Sequence, residues 1–118
     1  MSLVLPWPPA ILNPNVRAHW ARKADATKQY RLHCFVLAQQ AKLVKPKGRA
    51  VLSLTFCPPD KRRRDDDNML AAFKAGRDGI AQALGIDDYK LSLMIEVGEP
   101  VKGGQVKVSI TEYICPKH

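Results

Sequence analysis

Cysteine is scarce in this sequence, and its three cysteines, Cys34, Cys57 and Cys115, form no CxxC pair. An odd number without metal-ligand spacing argues against a disulfide framework and against a structural zinc site. No apolar run approaches the roughly 20 residues of a membrane span. The first residues, MSLVLPWPPA, lack the charged region and the longer apolar run of a signal peptide. These absences predict a cytoplasmic protein that has no membrane partner.

Acidic residues are also few. Nineteen Lys and Arg stand against eleven Asp and Glu, which gives a net charge of +8 in 118 residues. A chain of this length is expected to form a single domain, residues 1–118. The excess positive charge attracts polyanions, and nucleic acid is the leading candidate, because Lys and Arg neutralise backbone phosphates. A basic protein with no such partner fits the composition equally well.

The spacing of apolar residues predicts six elements in the order strand, helix, strand, helix, strand, strand: 2–5, 25–43, 50–57, 68–84, 91–97 and 106–110. Gly85 is predicted to cap the second helix. The Gly103-Gly104 turn predicts that the last two strands form an antiparallel C-terminal hairpin. The expected fold is therefore an α/β domain with a small mixed sheet and two helices. We expect Trp7 and Trp20 to pack in its core, and the alternative is that they stack on DNA bases.

The segment from Lys61 to Asn68 has the most informative spacing, because four cations run directly into three carboxylates. In an extended approach to the second helix, Asp65 and Asp67 would point to the same side and leave Asp66 free as the helix cap. Two carboxylates on one side supply the oxygen ligands that Mg²⁺ prefers. The alternative is that aspartates at a helix N-terminus are ordinary capping residues, which explains one of the three more readily than all of them.

Two other groups of residues are weaker candidates. Lys74 lies on the same predicted helical face as Asp67, where it would reach a phosphate or pair with Asp78 in an exposed salt bridge. The Asp87-Asp88 pair would serve the site or simply form a polar connection into the next strand. The three histidines show no ligand spacing and receive no chemical role.

Taken together, several segments resemble the RusA family of Holliday junction resolvases. They are LPWPP at 5–9, RRRDDDN at 62–68, Gly-Ile-Asp-Asp at 85–88 and KGGQVKVSITE at 102–112. The resemblance covers almost the whole chain and keeps the order and spacing of these parts. It implies a RusA-like fold and a bacterial or phage homodimer that resolves four-way DNA junctions by paired nicks in recombination and repair.

The resemblance also implies the site residues. The family's catalytic, metal-binding aspartates fall on Asp65, Asp67 and Asp88, with Mg²⁺ as the metal, Mn²⁺ as its expected substitute and no small-molecule cofactor. The family pattern has a lysine at position 71, where this chain has Ala71, so Lys74 is the candidate replacement. The residues expected to hold DNA are Arg17, Lys61, Arg62, Arg63, Arg64 and Asn68.

A straight second helix of this length would hold its ends roughly 25 Å apart. We therefore hypothesise that Asp88 completes the site of the partner subunit rather than its own. Two alternatives to a junction resolvase remain open at this point. One is a non-catalytic protein that binds branched DNA, and the other is a nuclease that cuts flaps or replication forks.

Overall fold

The computed structural model describes residues 2–112, so that Cys115 and His118 lie outside the described residues. It has four strands, two helices and two short 3-10 turns. The strands are β1 (Ser2–Pro6), β2 (Ala50–Cys57), β3 (Leu91–Val97) and β4 (Gln105–Glu112), the helices are α1 (Trp20–Gln40) and α2 (Asp66–Leu84), and the turns are Ala10–Leu12 and Asp88–Lys90.

The strands form one open mixed sheet in the order β1-β4-β2-β3. β4 runs antiparallel to both β1 and β2, whereas β2 and β3 are parallel and are joined by α2. A helix is the usual connection between two parallel neighbours, because the chain must return to the end of the sheet at which β2 began. The prediction of an α/β domain with a mixed sheet and two helices is confirmed.

The predicted C-terminal hairpin is wrong, because β3 and β4 are not neighbours in the sheet. The connection between them crosses the end of β2, where Gly98 N–H donates to the Phe56 carbonyl at 2.9 Å and Val101 N–H donates to the Pro58 carbonyl at 2.9 Å. β4 then enters the sheet between β1 and β2. In that central position its apolar side chains Val106, Val108 and Ile110 are all at most 3% exposed, which an edge position beside β3 would not achieve.

The core lies between one face of the sheet and the two helices. Phe73 of α2 makes edge-on ring contacts with Phe56 of β2 at 5.8 Å and with Tyr30 of α1 at 6.3 Å, so one side chain joins all three layers. The predicted apolar stripe of α2 is confirmed as buried: Met69, Phe73, Gly76, Ile80 and Leu84. The Tyr30 hydroxyl donates to the Pro6 carbonyl at 2.6 Å and fixes α1 to the end of β1.

The helix boundaries differ from the predicted ones at the N-terminal ends of both helices and at the C-terminal end of α1, which stops at Gln40 rather than at residue 43. α1 begins five residues earlier than predicted, at Trp20, because the His19 side chain accepts a hydrogen bond from Ala21 N–H and caps the helix. α2 begins two residues earlier, at Asp66, with Asp65 as its cap. The predicted cap Gly85 is confirmed, with the left-handed φ of 70° that favours glycine. Within residues 2–112, neither helix is both long and apolar enough to cross a membrane.

Candidate metal and nucleic-acid site at the N-terminal end of α2

The chain between β2 and α2 is ordered by one carboxylate, Asp60, which sequence reasoning passed over. Its Oδ1 accepts from the Arg62 backbone N–H at 2.9 Å, and its oxygens form ion pairs with Arg62 Nε at 3.2 Å and with Arg64 Nη2 at 2.9 Å. The Arg62 backbone N–H, followed by the Arg62 side chain, lowers the pKa of Asp60 to about 2. Asp60 therefore stays charged and holds two arginines in place.

Arg64 is held inside this segment rather than offered to solvent. Its Nη1 donates to the carbonyls of Asp60 at 3.1 Å and Arg62 at 2.9 Å, and its guanidinium lies 5.9 Å from the Trp7 ring centroid. Its side chain is only 20% exposed. Arg64 was predicted to bind DNA, but its contacts hold the segment between β2 and α2 in place. Lys61, Arg62 and Arg63 remain exposed.

Trp7 lies beside the guanidinium of Arg64 and is half-buried against the core, as predicted. Its ring meets Phe56 edge-on at 6.2 Å. The Gly103-Gly104 turn passes so close that a Cβ on Gly104 would lie 2.9 Å from Trp7 Cβ, and Gly104 also has a φ of 72°. A glycine is therefore required there both by backbone conformation and by the indole beside it.

A surface groove of about 770 Å³ runs beside the first turn of α2. It combines an aromatic and proline-rich wall with amide, cationic and carboxylate side chains. The polar and charged side chains that line it are Asn13, Asn15, Arg62, Arg63, Arg64, Asp65 and Asn68. The predicted DNA residues Arg62, Arg63, Arg64 and Asn68 are therefore brought together with Asp65. Arg17 is exposed and follows Asn13, Asn15 and Val16, which also line the groove.

The three aspartates at the start of α2 do not alternate as predicted. Because the helix begins at Asp66, Asp65 is the cap, and its Oδ1 accepts from the Asp67 backbone N–H at 2.8 Å. Asp66 and Asp67 occupy the first turn, where successive side chains step around the helix. The expectation that Asp65 and Asp67 share a side while Asp66 caps is wrong. Asp65 borders the large groove, and Asp66 and Asp67 border two smaller depressions of about 230 and 210 Å³.

Lys74 borders the same depression as Asp67, together with Ala71. Its Nζ lies 3.5 Å from Asp78 Oδ2, and its side chain is 71% exposed. The predicted proximity of Lys74 to Asp67 therefore agrees with the structure, and so does the exposed salt bridge. A pair this exposed contributes little to stability, which leaves the ammonium available to another anion.

Asp88 lies far from the other two aspartates in its own chain. α2 runs without interruption through Gly76 and Gly79 for 19 residues, which is roughly 28 Å at 1.5 Å per residue. Asp88 begins the turn that follows the far end of this helix, and its side chain is outside what the structure describes. Among the side chains that are described, no three from His, Cys, Asp and Glu lie close enough together to hold a metal ion.

Trp20 is a candidate binding residue that sequence reasoning misplaced. It is 76% exposed at the start of α1, 5.6 Å from the His19 ring, so the prediction that it packs in the core is wrong. Arg22 and Lys23 follow it after Ala21. An exposed indole among cations is typical of surfaces on which nucleic-acid bases stack. The helical spacing of α1 gave no sign of this exposure, because Trp20 lies 18 residues, or five turns of about 3.6 residues, before the buried Ala38 and so on the same face of the helix.

Comparison with known proteins identifies a homologue of this chain. No family profile matches it. A protein of Xylella fastidiosa, described as an uncharacterized protein, is 47% identical over 115 residues, and the alignment covers 93% of this chain and 75% of the Xylella protein. The chain belongs to the same family as that Xylella protein. This relationship assigns no activity to either protein.

Proposed function

We propose that this protein is a Mg²⁺-dependent endonuclease that cuts branched DNA, with the four-way junction as its substrate. The observation that carries the proposal is the juxtaposition at the start of α2. Asp65 lines a groove together with arginines and amides, and Asp66 and Asp67 follow it in the first turn of the helix. The sequence resemblance to RusA-family resolvases points to the same residues.

The chemistry of the donors fits a hard divalent cation. Asp65 uses Oδ1 for capping and retains Oδ2 for a metal, while no hydrogen bond engages the carboxylate of Asp67 among the described residues. Aspartate oxygens with completing waters and substrate phosphate form the coordination that Mg²⁺ favours. When bound, Mg²⁺ would activate a water and stabilise charge on the scissile phosphate. Mn²⁺ would satisfy the same oxygen donors.

The surrounding cations would hold the DNA backbone. Lys61, Arg62 and Arg63 are exposed next to the carboxylates, and the exposed Arg17 follows the loop residues Asn15 and Val16 that line the groove. Contacts of this kind fix the position of the duplex and carry little sequence information. Trp20 adds a face on which an unstacked base at the branch point would rest. Lys74, near Asp67, would stabilise charge on the phosphate.

Paired nicks require two sites, and the placement of Asp88 favours a homodimer that shares them. Because Asp88 lies at the far end of α2 from Asp67, the partner's Asp88 is the one we assign to each site. Mixed dimers test this assignment. A chain carrying Asp67→Asn paired with a chain carrying Asp88→Asn retains one intact site if sites are shared, so single nicks are expected. Absence of single nicks would reject sharing.

The decisive experiment is incubation of the protein with a synthetic four-way junction, with and without Mg²⁺ or Mn²⁺. Two symmetric nicks that require the metal are expected, and binding should weaken steeply between about 50 and 200 mM salt. The key variant is Asp65→Asn. Asparagine caps a helix as well as aspartate does, so folding is retained while the charge on the metal-binding oxygens is lost.

Asp65→Asn is expected to abolish cleavage and to leave binding intact or tighter, because a negative charge near phosphate is removed. Asp25→Asn, on the exposed surface of α1, makes the same change of charge elsewhere and should cleave like the natural protein. Cleavage by Asp65→Asn at the natural rate would contradict the metal role. Lys74→Ala should slow cleavage more than Asp78→Ala does, which separates its phosphate role from its salt bridge.

A second candidate function is a non-catalytic protein that binds branched DNA. It is favoured by the cap that Asp65 forms and by the division of the three aspartates among different depressions. In this case the natural protein binds the junction and no metal condition produces nicks. A panel of junctions, flaps and forks distinguishes the resolvase from a flap or fork nuclease.

A further inference from the structure

The outer edge of β3 exposes apolar side chains that its neighbours in the sheet bury. Leu91 is 4% exposed beneath the helices, but Ile95 and Val97, on the same face of the strand, are 40% and 49% exposed. Met94, on the opposite face, is 63% exposed. Within residues 2–112, no strand pairs with this edge. β3 contains no proline and one charged residue, Glu96, and an edge strand that is mainly apolar is a template for pairing with another strand.

The free hydrogen-bonding groups of this edge belong to a defined set of residues. Gly98 N–H points to β2, where it donates to Phe56. Backbone groups alternate in direction along a strand, so Met94 and Glu96 also face β2. The groups that point outward are those of four residues, Leu91, Leu93, Ile95 and Val97.

The other edge of the sheet is less suited to pairing. β1 has five residues and ends at Pro6, which has no N–H to donate. Its one large exposed apolar side chain is Val4, 55% exposed. The two edges therefore differ in length and in donors.

We propose that two copies of this chain join through antiparallel pairing of their β3 strands, with the two-fold axis at Met94. This register pairs Leu91 with the partner's Val97 and Leu93 with the partner's Ile95. All four residues with outward-pointing groups are then used, and no position of the seven-residue strand is left over. The two four-stranded sheets become one sheet of eight strands, and the exposed apolar row of each β3 continues into the other.

Charge complementarity at the ends of the strand favours a second copy over another partner. The chain entering β3 carries Asp87 and Asp88 with one cation, Lys90. The chain leaving it carries Glu99 and borders a depression whose lining has more cations than carboxylates: Lys61, Arg62, Arg63 and Arg64 against Asp60 and Asp66. Antiparallel pairing places the acidic end of each copy against this basic depression of the other.

The same pairing brings the partner's Asp88 to the start of α2. The pairing sets the start of β3, three residues after Asp88, beside the partner's Val97, which borders the depression of Asp66. This consequence rests on the proposed function, and it identifies the surface through which the subunits would share sites. The pairing of β3 itself does not depend on nuclease activity.

Cross-linking tests the interface directly. Met94 meets the partner's Met94 as a pair that exchanges no backbone hydrogen bonds, with Cα atoms about 4.5 Å apart, a distance that a disulfide spans. In a Cys115→Ser background, oxidation of Met94→Cys should convert the 13.2 kDa chain to a covalent dimer of twice that mass. Val4→Cys, exposed to a similar degree on the other edge, is the matched control and should remain monomeric on a denaturing gel. Equal cross-linking of both variants, or none of Met94→Cys, would overturn the proposal.

Sedimentation provides the second measurement. The natural protein should be a dimer, Ile95→Lys should be a monomer with an unchanged helical circular dichroism spectrum, and Val4→Lys should remain a dimer. A dimer that persists in Ile95→Lys would reject the β3 interface. A β3 dimer that cuts no branched DNA would reject the nuclease and leave the interface intact, whereas cleavage by a protein that does not cross-link at Met94 would do the reverse.

Discussion

The two helices differ in how much of each is committed to the core. α2 buries eight residues along its length and makes the ring contacts that join the layers, whereas α1 buries only Tyr30, Cys34 and Ala38. α2 therefore presents to a ligand mainly its first turn and the exposed Ala71 and Lys74, and the charged segment lies directly before that turn. α1 leaves most of its surface in solvent, including Trp20 and the cations Arg22, Lys28 and Arg31. α2 positions the aspartates of the candidate site, and α1 contributes mainly exposed surface.

The largest expected effect comes from the point where the two helices touch. A Cβ on Gly79 of α2 would lie 2.5 Å from the Arg31 carbonyl oxygen and 3.1 Å from the Phe35 nitrogen, both backbone atoms of α1. The added Cβ would force the two helix backbones apart, which typically costs about 1–3 kcal/mol. Replacing glycine by alanine within a helix gains about 1 kcal/mol in helix propensity. With backbone as the obstacle, we expect Gly79→Ala to lower the free energy of unfolding in urea by about 2 kcal/mol.

Gly48→Ala is the control for that substitution, because nothing lies within 4 Å of its added Cβ. It should leave the free energy of unfolding unchanged or slightly higher. If Gly79→Ala were as stable as Gly48→Ala, the helices would not be held in close contact at this point, and the contrast between a core helix and a surface helix would fail.

The helix caps give a smaller effect. Asp65→Ala removes the acceptor that Asp67 N–H uses at 2.8 Å and should cost about 1 kcal/mol of stability, while Asp65→Asn should cost almost nothing. His19→Ala removes a longer bond, 3.2 Å, from the more solvated α1 and should cost less than Asp65→Ala. Urea denaturation of the three variants makes the comparison. A larger loss from His19→Ala would mean that α1, not α2, depends more on its cap.

The smallest effect concerns the approach to α2 and is measured as a titration. The pKa of Asp60 is lowered to about 2, first by the Arg62 backbone N–H and then by the Arg62 side chain. Because the folded pKa lies below the ordinary value of about 3.9, the stabilisation is present above that value and is lost as pH falls toward 2. Arg62→Ala keeps the backbone donor, so an NMR titration should show the Asp60 pKa raised only part of the way. Full recovery would make the side chain the main cause.

Much of this domain was predictable because its information is local. The bounds of β2 and β3 follow from alternation over seven or eight residues, and Gly85 ends α2 because its conformation favours glycine. The start of α2 was placed two residues late. Three aspartates can cap or extend a helix equally well, and only the ordered segment around Asp60 and Arg64 decides which of them is the cap.

Three features can be predicted from the sequence alone: the apolar stripes, the excess of positive charge, and the run of cations followed by aspartates at positions 61–67. Each depends on residues that are close together in the chain. Tertiary structure decided that β4 lies between β1 and β2, that Trp20 faces solvent and that Asp88 lies an entire helix away from Asp67. These outcomes depend on which apolar faces pack against one another, and those faces belong to residues far apart in the sequence. No local pattern encodes that choice, since several strand orders satisfy the same alternation.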